Sequence, residues 1–301
     1  MAGSTVPCGV DAASAPALAP AMKTDPATLI HYASLVKMAE SVSPAATLYT
    51  PGMQIPLTYG TSVNVTYTVM TTFYGNDLAT DKNPARGNDV VSFGFVAQDA
   101  AGNVVVAIRG TEGIYEWLQD ACFLSVRCPF LAGSGQTEDG FTAVYSSLQS
   151  AAGPSGVPLV KALTRLPYPK TPTSLTICGH SLGGALAKLL ALDIAANGKF
   201  LQPTVYTYAS PRAGNASFVD TYNQVVPNTC RVASRFDLVP KVPLPPFYAH
   251  PLTPLDLNPM LKVKLDLLCQ HHLTTYIHLL SKLGSGPVLP LDADCQGPEH
   301  D

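Results

Sequence analysis

The chain has 301 residues, 47% hydrophobic and 13% charged, a balance that excludes a solvated disordered chain and suits a compact protein with an apolar working surface. A formal net charge of −3 leaves no basic footprint for nucleic acid, and no run of about 18 apolar residues offers a transmembrane helix. The length is near the upper end of what one core holds, so a single domain over residues 1–301 is expected.

Residues 1–22, rich in Ala and Pro with little periodicity, read as a tail or surface strap. Asp25-Pro26 then supplies a cap and a proline at the first helical position, followed by Leu29, Ile30, Ala33, Val36 and Ala39 at helical spacing. Residues 44–62 are punctuated by Pro and Gly and read as a connection. Val63–Tyr74 alternates as a strand does. Val90–Ala97 and Val104–Arg109 read as strands joined by the turn Gln98–Asn103. Phe141–Ser150 and Leu159–Leu166 look helical.

Residues 175–178, an apolar run, then lead into Gly179-His180-Ser181-Leu182-Gly183, and a helix runs from there to about Asn197, where Gly198 stops it. Strand, sharp turn, helix, with serine at the apex and glycine two places away on each side, is the setting of a nucleophile elbow. A serine held in such a turn crowds the residues two before and two after it, and only a missing side chain relieves the crowding. The turn sets the hydroxyl at a helix N-terminus, where amides and dipole favour developing negative charge. Beyond it come a strand at Thr204–Ala209, a helix near Phe218–Val225, a strand at Arg231–Ser234, a proline-rich excursion from Pro240 to Pro259, and a final helix around Leu273–Leu283. Alternating strands and helices imply an α/β fold, a mainly parallel sheet covered on both faces, with the active residues at the C-terminal ends of the strands.

Serine needs a general base to take its proton and an acid to orient that base. On such a fold these follow in the order Ser, Asp or Glu, His. Asp237, just past the strand at Arg231–Ser234, fits the acid. Asp193 and Asp220 fall inside helices, and Asp256 and Asp266 follow no evident strand. Among the downstream histidines, His250 sits among prolines, His278 lies within the last helix and His300 is in the tail. That leaves His271 and His272, where a loop gives way to the helix. One of the two is the base; a metal site there would lack a completing carboxylate or cysteine cluster. His180 is adjacent to the serine and reads as a packing residue. The oxyanion donors expected are the N–H of Leu182, the residue after the nucleophile, and Thr111, in the loop Ile108-Arg109-Gly110-Thr111 after an early strand. Next to that loop, Ile114, Trp117, Leu118 and Ala121 form one apolar stripe at helical spacing, with Glu112, Glu116, Gln119 and Asp120 opposite. Residues 112–130 are therefore a candidate lid over an apolar cleft.

Seven cysteines bear on the compartment. None has zinc-finger or CxxC spacing. Cys178, before the elbow, reads as a buried thiol. The remaining six are compatible with disulfides in an exported protein, and Cys122 and Cys128 are close enough to close a small loop. The opening Met1–Cys8 has no basic region followed by an apolar block, so the chain reads as an exported protein without its leader, or otherwise as a cytosolic one.

Taken together, these residues resemble the class 3 (fungal-type) lipase family of the α/β-hydrolase superfamily. The resemblance spans roughly residues 90–283. It is carried by Ile108-Arg109-Gly110-Thr111 with Trp117 and Asp120, by Asp139-Gly140-Phe141, and by the elbow extended through Gly184-Ala185-Leu186-Ala187. Tyr208-Ala209-Ser210-Pro211-Arg212-Ala213-Gly214-Asn215 with Phe218, and Asp237-Leu238-Val239-Pro240-Lys241-Val242-Pro243, complete it. The resemblance implies an α/β-hydrolase fold with a lid segment, Ser181 as nucleophile, Asp237 as acid, and Thr111 with Leu182 as the oxyanion hole. His271-His272-Leu273-Thr274-Thr275-Tyr276 is similar to the family's histidine segment and implies His271 as base. The implied activity is hydrolysis of carboxylic esters, triacylglycerols foremost, at a lipid–water interface and without metal or organic cofactor. A short-chain, feruloyl or polyester esterase on the same scaffold is the alternative, and a non-catalytic scaffold or binding protein a remote one. The proline-rich stretch between Asp237 and His271 departs from the family pattern, and residues before about 60 match no motif.

Overall fold

The computed structural model describes residues 24–41, 49–57, 65–76, 90–111, 123–151, 155–259 and 263–297. Its frame is one eight-stranded sheet in the order β1-β2-β3-β4-β7-β8-β9-β10. The strands are β1 (Gln54–Leu57), β2 (Val65–Asn76), β3 (Val90–Asp99), β4 (Asn103–Ile108), β7 (Ser174–His180), β8 (Pro203–Tyr208), β9 (Thr229–Ser234) and β10 (Leu255–Leu257). From β4 onward every pairing is parallel, while β1 to β4 pair antiparallel. A separate two-stranded ribbon joins β5 (Ser125–Arg127) to β6 (Gln136–Glu138).

The helices fall on both faces because the strands carry apolar side chains on both. Val104, Val106, Ile108 and Ile177 point into one core, under α2 (Asp139–Ser147), α4 (Leu182–Asn197) and α5 (Ala216–Val225). Their neighbours Val105, Ala107 and Cys178 point into the other, where Leu29, Ala33 and Val36 of α1 (Pro26–Glu40) meet Tyr276, Ile277 and Leu280 of α7 (Leu273–Ser281). Alternation of faces at every residue is the strand's period of two. Burying both faces explains why these strands read as unbroken apolar runs. α4 lies deepest: every residue from Leu182 to Ile194 is buried.

Local chemistry sets the element ends. Asp25 caps α1 by accepting from the Thr28 N–H, with Pro26 in the first turn. The turn between β3 and β4 is held by Asp99, whose carboxylate accepts from the N–H groups of Ala101 and Asn103.

Several expectations need correcting. The helix expected at Leu159–Leu166 is one four-residue turn, α3 (Leu159–Ala162), and α2 ends at Ser147 rather than Ser150, since the backbone at Leu148 turns extended. β1 lies inside the stretch read as connection; four residues with one proline are too short to show a period. β10 lies inside the proline-rich excursion, so Asp256 sits on a strand, where it pairs with Arg235 at 3.0 Å. A five-residue helix, α6 (Leu267–His271), precedes the last helix and was also unread. Gly198 does end α4, but with φ −81°. Its value there is space, since a Cβ would meet Ile194 backbone at 2.8 Å. Cys122 lies outside the described residues, and Cys128 is a free buried thiol rather than half of a small loop. Cys178 and Cys230 are also buried thiols, and Cys269 bonds to Cys295.

Candidate active site

The parallel half of the sheet delivers three loops to one edge. β4 ends at Ile108, β7 at His180 and β9 at Ser234, so Gly110-Thr111, Ser181 and Asp237 follow the C-terminal ends of three parallel strands of one sheet. Ser181 adopts φ 56° and ψ −128°, a left-handed conformation that costs a side-chain-bearing residue about 1–3 kcal/mol. The turn is held by Ser181 N–H on Tyr208 O at 3.0 Å and Gly184 N–H on Ser181 O at 2.9 Å. The glycines are required by close approach. A Cβ on Gly179 would stand 2.2 Å from Gly183 O, and one on Gly183 would stand 2.4 Å from both Ile108 O and Arg109 O.

Ser181, His271 and Asp237 meet in one hydrogen-bonded run. Ser181 Oγ lies 2.9 Å from His271 Nε2, and His271 Nδ1 lies 2.9 Å from Asp237 Oδ2. All three are buried, the serine with 1% of its surface accessible. Asp237 is saturated with donors: the Tyr276 hydroxyl reaches Oδ2 at 2.7 Å and the Val239 N–H reaches Oδ1 at 2.9 Å. A carboxylate so supplied accepts the imidazole Nδ1–H, which leaves Nε2 as the acceptor for the serine hydroxyl. Burial pushes the His271 pKa below its ordinary value, and the charge and hydrogen bond of Asp237 offset this only in part. His271 is therefore neutral at neutral pH and able to accept a proton.

Leu182 opens α4, where the first N–H groups have no acceptor inside the helix. The loop carrying Thr111 packs on the nucleophile turn, since a Cβ on Gly110 would meet Ser181 Cβ at 3.0 Å. Arg109 braces that loop by donating from Nε to Ser92 O at 2.6 Å and from Nη1 to Gly110 O at 3.1 Å, over the Phe93 ring. A cavity of about 350 Å³ opens beside Thr111 and His271, with Lys37, Glu40, Leu268 and Asp292 also in its wall. The candidate lid residues Ile114, Trp117, Leu118 and Ala121 lie outside the described residues.

The competing groups are placed elsewhere. His272 turns outward toward Asp292, 3.6 Å away. His278 bonds Leu289 O, and His250 bonds Pro240 O. Asp193 accepts from the Tyr145 hydroxyl, Asp220 is exposed, and Asp266 caps α6. His180 points away from Ser181, with Nδ1 on Glu40 and Nε2 on the carbonyl of His271. Among the described residues no group of three or more His, Cys, Asp or Glu could hold a metal, and no helix is long and apolar enough to cross a membrane.

Two features escaped the sequence reading. Lys188, within the apolar α4, is fully buried and donates to Pro211 O at 2.7 Å, and burial drives its pKa well below the ordinary value. Its place inside an unbroken apolar run was the available signal. Cys269, two residues before His271, is tied to Cys295 across 26 residues, and spacing alone could not pair them.

Residues 105–247 match the family model described as lipase (class 3), a span that takes in Thr111, Ser181 and Asp237 and stops short of His271. Over that span the chain is similar to the class 3 lipase family. Among its relatives, the chloroplastic phospholipase A1-Igamma2 of Arabidopsis thaliana is 30% identical over 223 residues, covering 59% of this chain and 42% of the relative. The secreted mono- and diacylglycerol lipase A of Penicillium cyclopium is 32% identical over 152 residues, covering 50% and 47%. Phospholipase A1-II 3 of Oryza sativa subsp. indica is 30% identical over 237 residues, covering 68% and 56%. The chain thus spans about half the length of the curated relatives it matches. In fold, the chain is similar to the Lip2 lipase of Yarrowia lipolytica (TM-score 0.57, 22% identity, 79% of this chain and 81% of that one). It is also similar to the Rhizomucor miehei triacylglyceride lipase (TM-score 0.54, 20% identity, 77% and 78%). The architecture is that of the α/β-hydrolases.

Proposed function

We propose that this chain is a serine carboxylic-ester hydrolase acting on acylglycerols, triacylglycerols foremost, through an acyl-enzyme. The reading rests on one observation, the buried run Asp237–His271–Ser181 with its serine on a strained strand-to-helix turn. Ser181 Oγ attacks the ester carbonyl as His271 Nε2 takes its proton, and Asp237 holds the imidazolium through Nδ1–H. The N–H groups of Leu182 and Thr111 receive the oxyanion of the tetrahedral intermediate. His271 then returns its proton to the departing alcohol, and water activated by the same imidazole releases the fatty acid and regenerates the serine.

Leu124, Leu244 and Phe247 are exposed, Phe247 by 77%. The Tyr248 hydroxyl, beside Phe247, donates to Phe123 O and Leu124 O, so the excursion and the described end of the candidate lid are one surface. An apolar surface of this kind suits a lipid–water interface more than a dissolved short-chain ester. Residues 112–130 serve as the lid in this reading. The Cys269–Cys295 disulfide favours an oxidising, extracellular setting. The relatives carry phospholipase A1 and mono- and diacylglycerol lipase names, so phospholipid is the substrate to test against triacylglycerol.

Ser181→Ala decides the mechanism. Hydrolysis of emulsified acylglycerol is expected to vanish while circular dichroism and the urea midpoint stay those of the parent, and an organophosphonate should label the parent at Ser181 alone. Full turnover in the folded variant would overturn the proposal. A chain-length series decides the substrate: preference for acyl chains of about four carbons or fewer, with no rate jump above solubility, would replace the lipase by an esterase.

A further inference from the structure

His180 occupies the elbow one residue before Ser181, yet neither ring nitrogen faces the serine. Its side chain is 8% exposed, Nε2 is 2.8 Å from the carbonyl oxygen of His271, and Nδ1 is 2.9 Å from Glu40 Oε1. A carbonyl only accepts, so Nε2 carries a proton. A carboxylate also only accepts, so Nδ1 carries one as well. The alternative is a neutral pair in which Glu40 keeps its proton and donates it to Nδ1. Lys37 Nζ, 3.8 Å from Glu40 Oε2, favours the ionised form.

We infer that Glu40 and His180 form a second, partly buried acid–imidazole pair, ionised as carboxylate and imidazolium, that positions the base of the proposed triad from behind. The pair deepens the reading of Ser181, His271 and Asp237 and rests on it. His271 is the last residue of the five-residue α6, where the closing carbonyls have no donor within the helix. His180 supplies that donor, fixing the main chain of His271 while Asp237 fixes its ring. The two imidazoles lie 4.7 Å apart between centroids. Charge also matters here. Burial raises the Glu40 pKa, but the hydrogen bond and charge of His180, then Lys37 and His271, outweigh it and hold the group below its ordinary value. A lone imidazolium at His180 would oppose the imidazolium that forms on His271 during acylation; the Glu40 carboxylate offsets it.

The charged and titratable groups facing the pair are Lys37 on α1, His271 on α6, Tyr276 on α7 and, beyond His271, Asp237. Arg109, His272 and Asp292 line the adjoining cavity. Neither Glu40 nor His180 bonds the serine hydroxyl: Glu40 reaches His180 Nδ1, and His180 Nε2 reaches the His271 carbonyl, so both act through His271 as positioning residues.

Glu40→Gln separates charge from shape. The glutamine amide donates to Nδ1, the Nε2–H stays on the His271 carbonyl, and His180 becomes neutral. Nitrogen-15 NMR of histidine-labelled protein is expected to show two protonated ring nitrogens on His180 in the parent at neutral pH and one in Glu40→Gln. The acid limb of kcat/KM is expected to move to higher pH in the variant, because the nearer charge removed is His180's and it opposed protonation of His271. Glu40→Ala, which also strips the partner from Nδ1, should lower kcat about tenfold, the cost of one hydrogen bond to a charged group, with KM unchanged. A singly protonated His180 in the parent, or identical acid limbs in parent and Glu40→Gln, would overturn the inference. The NMR reading needs no turnover, and phosphonate labelling of Ser181 reports the triad itself, so failure of either reading is seen separately.

Discussion

Gly183→Ala strikes the contact on which the proposed oxyanion hole depends. The new Cβ would stand 2.4 Å from Ile108 O and Arg109 O and 2.9 Å from Arg109 C, all backbone at the end of β4 just before Gly110 and Thr111. Real Cβ contacts essentially never fall below 3.0 Å, so the first turn of α4 and the β4 loop must part by about 0.6 Å or more, the difference between 3.0 and 2.4 Å. No flexible side chain absorbs that motion, because every close atom is main chain. It separates Leu182 from Thr111. Misplacement approaching 1 Å, or loss of one donor, costs on the order of 10²-fold in kcat. Overpacking costs about 1–3 kcal/mol of stability, of which better helix propensity returns about 1. The assay is hydrolysis of an acylglycerol emulsion beside the rate of phosphonate inactivation, since the tetrahedral phosphonate uses the same hole. Both are expected to fall together in a protein that remains folded in a urea titration. A folded variant with kcat within about twofold of the parent would refute the coupling.

Three further outcomes follow from the geometry. Tyr276→Phe removes a donor from Asp237 and orphans the Ser234 N–H, which donates to the tyrosine oxygen at 2.9 Å; a loss of about 1–3 kcal/mol in urea unfolding is expected, with a lower kcat, and unchanged stability would contradict it. Replacing Cys269 and Cys295 together by alanine opens a 26-residue loop, for which chain entropy gives about 3.5 kcal/mol; because Cys269 sits two residues from His271, kcat should fall with stability, and parent activity in the variant would count against a role for the bridge in holding α6. His250 is pushed down from 6.5 to about 2, by burial first and by Lys188 and Arg231 next. The folded state therefore binds fewer protons than the unfolded one below pH 6.5, and stability falls as pH drops from there toward 2, by up to about 1.4 kcal/mol per unit from this group. His250→Gln, which keeps a donor for Pro240 O, should flatten that slope in urea midpoints between pH 6 and 4; an unchanged slope would show that the residue does not carry it.

What could be read before the structure, and what could not, divides along contact range. The capped α1, strands β2 to β4 and β7 to β9, and the helix after the elbow announce themselves through period and punctuation within a few residues. Ser181 did the same, because its strain demands glycines at fixed offsets. α6, β1 and β10 are three to five residues long and hold their shape through neighbours rather than sequence. Glu40 escaped for a related reason. It lies in a region matching no motif, and its partner His180 is brought to it only when α1 docks against the sheet.

The motif residues themselves do mostly structural work, which bears on what the family resemblance can carry. Gly179 and Gly183 are there for main-chain approach. Asn215 caps α5 and accepts from Gln136 N–H, Glu138 caps α2 before the Asp139-Gly140-Phe141 run, and Lys188 holds the loop after β8 through Pro211 O. These contacts converge on the loops around Ser181. The excursion of Pro240 to Pro259, pinned by Arg212 on Pro243 O and Arg231 on Leu252 O, is the described segment that faces an incoming lipid in the proposed mechanism. Shortening that excursion should therefore alter chain-length preference while leaving phosphonate labelling of Ser181 intact, and loss of labelling with unchanged preference would place the specificity elsewhere.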